Sequence, residues 1–318
     1  MNNKIWDVLE REIMTSEMDE STKRQLIENV NKIKDQTLNI LFMGATGVGK
    51  SSTINAIFNT DVAKVGYGVD PQTMNIEKYE IENMVLWDTQ GLGDSPENDK
   101  KYAHQIANIL TKKDCNGEAL IDLVMVIIDG SNRDMRTSFE LIENIIIPYV
   151  QDEKRILIGI NQCDIAMKGR YWNNSTNEPE ETLISFLKEK VESVKNRVNE
   201  STGVHVNPIY YSALHHYNIS KVLSNIVKNM PENKRLILAD NINSNPEIWK
   251  NNDGLADYNL EIQSEMKISL ANALDGAAKG AVAGATVGAL VPIIGPIIGA
   301  TIGAALGFLG GLFRNYAS

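Results

Sequence analysis

In residues 38–235 of the 318-residue chain, short strand-like runs of apolar residues alternate with stretches in which apolar residues recur at helical spacing. Short apolar runs bounded by turn residues predict strands, whereas apolar residues three or four positions apart predict helices. The predicted strands are Leu38–Met43, Asn75–Ile81, Met84–Trp87, Ile121–Ile128, Arg155–Ile160 and His205–Tyr211. Because helical patterns fill the gaps between them, we expect an α/β fold with a doubly wound, mostly parallel sheet and helices on both faces.

Two amphipathic helices are predicted before the first strand, within residues 1–37. Their apolar residues recur three or four positions apart and are Ile5, Leu9 and Ile13, then Leu26, Val30 and Ile33. Asp19 and Ser21 lie between the two runs and are candidate helix caps. We expect a helical hairpin that packs on the main domain, with a helix reserved for a partner protein as the alternative.

A long helix with one apolar face is predicted after Asn177. Its apolar residues lie on one helical face and are Leu183, Phe186, Leu187, Val191, Val194 and Val198. A polar cap residue followed three positions later by Glu, here Glu180, is typical of a helix N-terminus. The sequence therefore predicts that Asn177 caps this helix.

The last part of the chain changes character twice. Residues 236–274 are mostly polar, with a helical pattern late in the stretch at Leu260, Met266 and Leu270, and they predict a helical connector. No charged side chain occurs from residue 280 to residue 313. Glycine recurs every fourth position in two series, which are Gly276, Gly280, Gly284 and Gly288, then Gly295, Gly299, Gly303, Gly307 and Gly311. Such a stripe lets helices approach closely, so residues 275–318 predict a glycine-zipper helical hairpin.

This hairpin supports two interpretations. Each arm has roughly the length of helix that a hydrocarbon core of about 30 Å requires. Lys279 and Arg314 flank it, as cytoplasmic positive charges would. We therefore expect membrane contact through residues 276–313, peripheral or integral, at the cytoplasmic face. Because glycine and alanine provide little transfer free energy, the alternative is a soluble hairpin packed on the main domain or in a homodimer.

Composition narrows the class of protein. Hydrophobic content of 43% and charged content of 23% are ordinary for a globular chain. A net charge of −10 argues against indiscriminate binding to nucleic acid, with a local basic face as the alternative. The cysteines, Cys115 and Cys163, form neither a metal-ligand spacing nor a disulfide framework. Since residues 1–12 lack the apolar core of a signal peptide, we expect a cytoplasmic protein.

A glycine-rich segment joins the first predicted strand to a helix-like run, and it consists of Gly44, Ala45, Thr46, Gly47, Val48, Gly49, Lys50, Ser51 and Ser52. Glycines let the backbone wrap around phosphates with its N–H groups pointing inward. The helix N-terminus adds its positive dipole end at the same place. We expect Lys50 to reach the β- and γ-phosphates and Ser51 to bind Mg²⁺. A tight strand–helix turn without a ligand is the alternative.

A second motif, Asp88-Thr89-Gln90-Gly91, directly follows a predicted strand. We expect Asp88 to hold Mg²⁺ through water and the Gly91 N–H to meet the γ-phosphate. Thr73, earlier in the chain, is placed to give Mg²⁺ a second hydroxyl, although an ordinary turn threonine after a proline is the alternative. The preceding residues 66–69 predict a mobile loop, and a loop that orders around a γ-phosphate is a switch.

Two further motifs indicate a purine base. In Asn161-Gln162-Cys163-Asp164, the Asp164 carboxylate is expected to accept from N1–H and the exocyclic amine of guanine, a donor pair that adenine lacks. Asn161 is expected to hold the loop and to contact the base edge. Ser212 and Ala213 follow the last predicted strand, where a backbone N–H is expected to meet guanine O6.

These motifs, in this order on successive strand ends, resemble the P-loop GTPase family and in particular its Era-like branch. The resemblance covers roughly residues 38–230 and implies a three-layer P-loop NTPase fold, in a G domain that we place at residues 38–235. It implies binding of GTP or GDP with Mg²⁺ and hydrolysis of GTP. The implied catalytic residues are Lys50, Thr73 and Gly91, the implied Mg²⁺ ligands are Ser51, Thr73 and Asp88, and the implied nucleotide contacts are residues 44–52, Asn161, Gln162, Asp164, Ser212 and Ala213.

Three positions depart from the family pattern. Gln162 stands where the family usually carries a lysine that packs under the base, so we expect weaker binding. Leu92 occupies the place of the water-orienting glutamine of Ras-like enzymes, so we expect slow intrinsic hydrolysis. Gly47 stands where potassium-activated members carry asparagine, so potassium stimulation is not expected.

The leading hypothesis is a cytoplasmic GTPase switch whose C-terminal hairpin contacts a membrane. A nucleotide-gated interaction module with negligible turnover is one alternative, which the apolar Leu92 favours. A ribosome-associated factor is suggested by the Era-like resemblance alone, because residues 236–318 show no nucleic-acid-binding domain such as Era carries. A membrane-active effector, with the hairpin as its damaging part, is the last alternative.

Overall fold

The computed structural model describes residues 5–59, 64–67, 76–89, 96–132 and 135–278. Its strands are β1 (Leu38–Gly44), β2 (Lys64–Tyr67), β3 (Ile76–Ile81), β4 (Met84–Thr89), β5 (Leu123–Asp129), β6 (Ile156–Asn161), β7 (Trp172–Asn173), β8 (Glu178–Pro179) and β9 (Ile209–Tyr210). Its α-helices are α1 (Ile5–Thr15), α2 (Glu20–Lys34), α3 (Lys50–Ile57), α4 (Pro96–Thr111), α5 (Arg136–Leu141), α6 (Glu181–Thr202), α7 (Ile219–Asn229), α8 (Arg235–Ala239) and α9 (Tyr258–Ala278).

Seven strands form one mixed sheet in the order β2-β3-β4-β1-β5-β6-β9. β4, β1, β5, β6 and β9 pair in parallel, whereas β3 runs antiparallel to both β2 and β4. The predicted fold class, a three-layer α/β fold with a mostly parallel sheet, is confirmed. Since parallel strands end at the same edge, the motifs that follow β1, β4, β6 and β9 meet there.

Helices cover both faces of the sheet, which explains why β1 is an uninterrupted apolar run. Leu38, Ile40 and Phe42 pack in one core with α1, α2, α3, α7, α8 and α9. Leu41 and Met43 face the other core, beneath α4, α5 and α6. All of these side chains are fully buried, and each such burial stabilises the fold by about 1.5–3 kcal/mol.

The helices at the two ends of the described chain share the first core. Asp19 caps α2, as predicted, by accepting from the Thr22 N–H at 3.0 Å. The pattern at Met266 and Leu270 correctly predicted a helix, and both side chains are buried beside α1 and α2. Leu260 is instead 49% exposed.

α9 runs through the predicted boundary between residues 274 and 275, and the domain boundaries proposed from the sequence stay predictions. The hairpin expected after α9 lies outside the described residues. Among the helices of residues 5–278 that the structure describes, none is both long enough and apolar enough to cross a membrane.

Three local predictions were wrong. The predicted strand over residues 205–211 is reduced to β9, because Pro208 has no N–H to donate and the His205 N–H bonds Glu153 instead. Gly66 and Tyr67, assigned to a loop, end strand β2 and pair with β3. Asn177 does not cap α6, which begins after Glu180, because residues 178–179 form β8 opposite β7.

Candidate nucleotide-binding site

The glycine-rich loop connects the end of β1 to the start of α3. Gly49 precedes α3 with φ +87°, a conformation that side-chain-bearing residues rarely adopt. A Cβ on Gly49 would lie 2.3 Å from Nδ2 of Asn161, and a Cβ on Gly44 would lie 2.3 Å from the Ile127 carbonyl oxygen. Glycine is therefore needed at both positions for the loop to pack against the neighbouring strands.

Lys50 is the first residue of α3 and is largely buried. Its Nζ donates to the carbonyl oxygens of Gly44, at 3.2 Å, and Ala45, at 3.1 Å. Burial lowers the pKa of Lys50, and the nearby Asp88 carboxylate partly offsets that effect. The ammonium group thus lies against the loop that would surround the phosphates.

Ser51 and Asp88 bring the first and second motifs into contact. The Ser51 hydroxyl donates to Oδ2 of Asp88 at 2.6 Å. Oδ1 of Asp88 is buried and has no hydrogen-bond partner among the residues that the structure describes. Burial raises the pKa of Asp88, against the opposing effects of the Ser51 hydrogen bond and Lys50. A hydroxyl beside an unpaired carboxylate oxygen fits Mg²⁺, which prefers oxygen ligands.

Thr73 and Gly91, the other residues expected near the γ-phosphate, lie outside the described residues. The same holds for Gln90 and Leu92.

Asn161, at the end of β6, connects three of the predicted motifs. Its Nδ2 donates to the Val48 carbonyl at 2.8 Å, and its Oδ1 accepts from the Ala213 N–H at 3.0 Å. The neighbouring Gln162 donates from Nε2 to the Gly47 carbonyl at 2.9 Å. Side-chain hydrogen bonds therefore hold three segments together. They are the glycine-rich residues 44–52, called the phosphate loop below, the Asn161–Asp164 segment, and the Ser212–Ala213 segment, called the last loop below.

Asp164 has an acceptor available for a ligand. Its side chain is 5% exposed, and its Oδ1 has no partner within the described parts of the chain. Oδ2 lies 3.7 Å from Nε2 of His215. A buried carboxylate oxygen without a donor is unfavourable unless a ligand supplies one. This arrangement suits a base that presents a pair of N–H donors.

Sequence reasoning missed several residues that support the site. Tyr211 is fully buried, and its hydroxyl lies 2.8 Å from Oγ1 of Thr53, which in turn donates to the Gly49 carbonyl at 2.8 Å. Its ring lies against Gly159, where a Cβ would approach it to 2.8 Å. The position of Tyr211 just before Ser212 was the only signal in the sequence, and it does not specify these contacts.

Residues after α8 also support the last loop. The Asn251 carbonyl accepts from the Asn218 N–H at 2.9 Å, and the Asn218 side chain accepts from the Asp253 N–H at 2.9 Å. Asn251 also donates to the Thr176 carbonyl at 3.1 Å. The segment leading into α9 is thereby fixed beside the residues that the sequence predicts to contact the base.

A cavity of about 1180 Å³ lies at the opposite edge of the sheet, where the parallel strands begin. Asp122 is buried in its wall and is bonded by the Asn39 N–H and by Nζ of Lys234, each at 2.8 Å. Its position separates it from the predicted nucleotide contacts, which lie at the carboxyl ends of the strands.

Comparison with known proteins supports the class of domain. The sequence model of the family described as "50S ribosome-binding GTPase" matches residues 39–162, which include the phosphate loop, Asp88 and Asn161. No curated protein matches the chain.

Solved structures that match part of the chain include the following three proteins. Elongation factor SelB from Methanococcus maripaludis, with the GTP analogue GppNHp, is 14% identical over 61% of this chain and 34% of its own, with a TM-score of 0.36. The G domain of the T. maritima iron transporter FeoB is 14% identical over 61% and 99%, with a TM-score of 0.36. Toc33 from Arabidopsis thaliana, with GDP and Mg²⁺, is 16% identical over 65% and 82%, with a TM-score of 0.39. The chain thus spans only about a third of SelB.

The family match and the arrangement of the motifs define the class. The chain contains a GTP-binding GTPase domain.

Proposed function

We propose that this chain is an Era-like GTPase switch that binds GTP with Mg²⁺, hydrolyses it slowly and acts at a membrane through residues 276–313. One observation carries the nucleotide part. The Oδ1 atoms of Asp88 and Asp164 have no hydrogen-bond partner among the residues that the structure describes. Both lie in motifs that meet at one edge of the sheet, where Asn161 bonds the phosphate loop to the last loop.

Different residues bind the phosphates and the base. Lys50 and the N–H groups of the loop stabilise negative charge on the β- and γ-phosphates, because an ammonium group attracts an anionic phosphate oxygen more strongly than the neutral carbonyl oxygens that Lys50 contacts here. Ser51, Asp88 and Thr73 hold Mg²⁺, which neutralises phosphate charge when bound. Asp164 selects guanine, and the Ala213 N–H meets O6.

Two substitutions test these roles. Lys50→Ala is expected to abolish binding of GDP and GTP, and retained affinity would reject the phosphate site. Asp164→Asn is expected to shift preference from guanine towards xanthine nucleotides, since the amide offers a donor where the carboxylate accepts. An unchanged preference would reject the base site. Both measurements use equilibrium titration of the purified full chain.

Slow turnover follows from Leu92, an apolar residue where a water-orienting glutamine would stand. Single-turnover hydrolysis on the pure protein, with and without liposomes, measures it. Rapid hydrolysis without any partner would overturn this part, whereas negligible hydrolysis under both conditions would favour a nucleotide-gated interaction module.

The membrane part rests on the uncharged, glycine-striped residues 280–313. Liposome flotation should recover the full chain but not a chain that ends at Ala278, which keeps α9 complete. If neither chain floats, the glycine stripes pack protein against protein, and the alternatives are homodimers or other soluble partners. A nucleotide dependence of flotation would show what the switch controls.

Association with the ribosome is a second candidate, because the matching family is described as ribosome-binding. The net charge of −10 counts against it. Co-sedimentation with ribosomes in the presence of a GTP analogue, but not of GDP, would favour this candidate over the membrane switch.

A further inference from the structure

His215 lies beside the carboxylate to which we assign base recognition. Its Nε2 is 3.7 Å from Oδ2 of Asp164, the distance of an ion pair without a direct hydrogen bond. Oδ1 of the same carboxylate remains unpaired among the described residues. The two oxygens of Asp164 thus have different surroundings, since one faces an imidazole and the other faces no donor from the described parts of the chain.

The orientation of His215 is set by two neighbours on the β7–β8 hairpin. Its Nδ1 lies 3.0 Å from the side-chain oxygen of Asn177, and its ring centroid is 5.3 Å from that of Trp172. The oxygen and nitrogen of an amide can exchange places by a half-turn of the group. With the Asn177 nitrogen donating to Nδ1, the hydrogen of the imidazole is on Nε2, on the side of Asp164. Trp172 is itself buried edge-on against Tyr217, at 5.7 Å between centroids.

The backbone of His215 is fixed as well. Its N–H donates to Oγ of Ser212 at 3.2 Å, within the predicted last loop. The side chain is about one-quarter exposed, whereas Asp164 is almost fully buried. The imidazole therefore covers the outer side of the carboxylate at the solvent boundary.

We propose that His215 is a positioning residue for guanine specificity, which holds Oδ2 of Asp164 through Nε2 so that the carboxylate meets both N–H donors of the base. This inference rests on the proposed assignment of Asp164 to guanine. A carboxylate free to rotate would lose the fixed two-point acceptor geometry that distinguishes guanine from a base with a single donor. Asn177 acts indirectly, because it fixes the orientation of the His215 ring.

The test compares GDP with inosine diphosphate, which lacks the 2-amino group, on the full chain by titration calorimetry. The ratio of the two affinities reports the contact to that amine, whereas general loosening of the fold weakens both ligands together. His215→Phe keeps an aromatic ring beside Trp172 but removes Nε2. His215→Gln keeps an amide group at a comparable distance from Asp164.

We expect His215→Phe to reduce the affinity ratio by at least about fivefold, because the electrostatic attraction between the imidazole and the buried carboxylate is lost. His215→Gln should remain within about twofold of the parent protein. The matched control is His216→Asn, because His216 has φ +55° and asparagine tolerates that conformation. Its ratio should not change. Asn177→Ala, which leaves the ring intact, should shift the ratio in the same direction by a smaller factor.

An unchanged ratio in His215→Phe would overturn the proposal, and equal losses in the Phe and Gln variants would overturn the role of Nε2. If His215→Phe fails to fold, the ratio in Asn177→Ala decides the question. If the parent protein does not prefer GDP over inosine diphosphate, the assignment of Asp164 fails first and this inference fails with it.

Discussion

The side-chain nitrogen of Asn161 lies 2.8 Å from the carbonyl oxygen of Val48 and donates a buried hydrogen bond to it. The oxygen of the same amide accepts from the Ala213 N–H at 3.0 Å. The amide also fills the space that a Cβ on Gly49 would need. One side chain at the end of β6 thus fixes the phosphate loop relative to the last loop.

Asn161→Asp tests this connection. The carboxylate cannot donate to Val48 and would face a carbonyl oxygen, which leaves a buried acceptor unpaired. We expect the affinity for GDP to fall at least about tenfold and the melting temperature to decrease. Calorimetric titration and thermal melting measure both. Asn174→Asp, in an exposed turn, adds the same charge and should change neither. Full affinity in Asn161→Asp would show that the loops do not need this bond.

Gln162→Lys tests the departure from the family pattern. Gln162 donates to the Gly47 carbonyl at 2.9 Å, a bond that an ammonium group can also make. The longer aliphatic stem would add apolar contact under the base, so we expect affinity for GDP to rise several-fold. Gln151→Lys adds the same charge at an exposed position and controls for it. An affinity that falls or stays constant would contradict the packing role assigned to this position.

Asp88→Asn separates stability from ligand binding. The pKa of Asp88 is raised by burial above its usual 3.8, so the folded, nucleotide-free protein holds the proton more tightly than the unfolded chain. The corresponding stabilisation is complete below pH 3.8 and is lost as pH rises through the raised pKa. At neutral pH, ionised Asp88 therefore destabilises the nucleotide-free protein.

We expect Asp88→Asn to raise the melting temperature by a few degrees at pH 7 without Mg²⁺ or nucleotide, because one kcal/mol corresponds to about 2–4 °C in a domain of this size. The advantage should shrink as pH falls towards 4. Affinity for GDP with Mg²⁺ should decrease, since the amide is a weaker ligand. Melting curves across pH test the first effect. A lower melting temperature at pH 7 would show that Asp88 is stabilised by its surroundings instead.

Elements with a local sequence pattern could be predicted, whereas contacts between residues far apart in the chain could not. Buried parallel strands such as β1 and β5 are continuous apolar runs, so the sequence predicted these strands and the order of the motifs that follow the strands. β2 was missed because Lys64–Tyr67 is a short edge strand with a lysine and a glycine. The contact between His215 and Asp164 was invisible, because it depends on how the β7–β8 hairpin and the last loop meet in space.

Helix α9 shows the same limit of prediction from the sequence. Spacing predicted a helix near Met266 and Leu270, but it could not name the surface that α9 covers. In the structure these side chains enter the core that also holds Leu9 and Leu26. Residues before β1 and after β9 therefore share a single apolar interior, which no local pattern reveals.

Met266→Ala tests whether α9 is an integral part of the fold. Met266 is fully buried, and truncating a buried methionine typically costs about 2–5 kcal/mol because a cavity remains. Ile268→Ala, two residues along the same helix, removes a side chain that is 46% exposed and should cost about 1 kcal/mol or less. Urea unfolding followed by circular dichroism measures both, and the midpoint should fall much further for Met266→Ala. Equal, small losses would mean that α9 contributes little to stability, and the G domain could then be cut before it. A large difference would mean that any chain ending before α9 loses part of its core, so experiments on residues 276–318 should retain that helix.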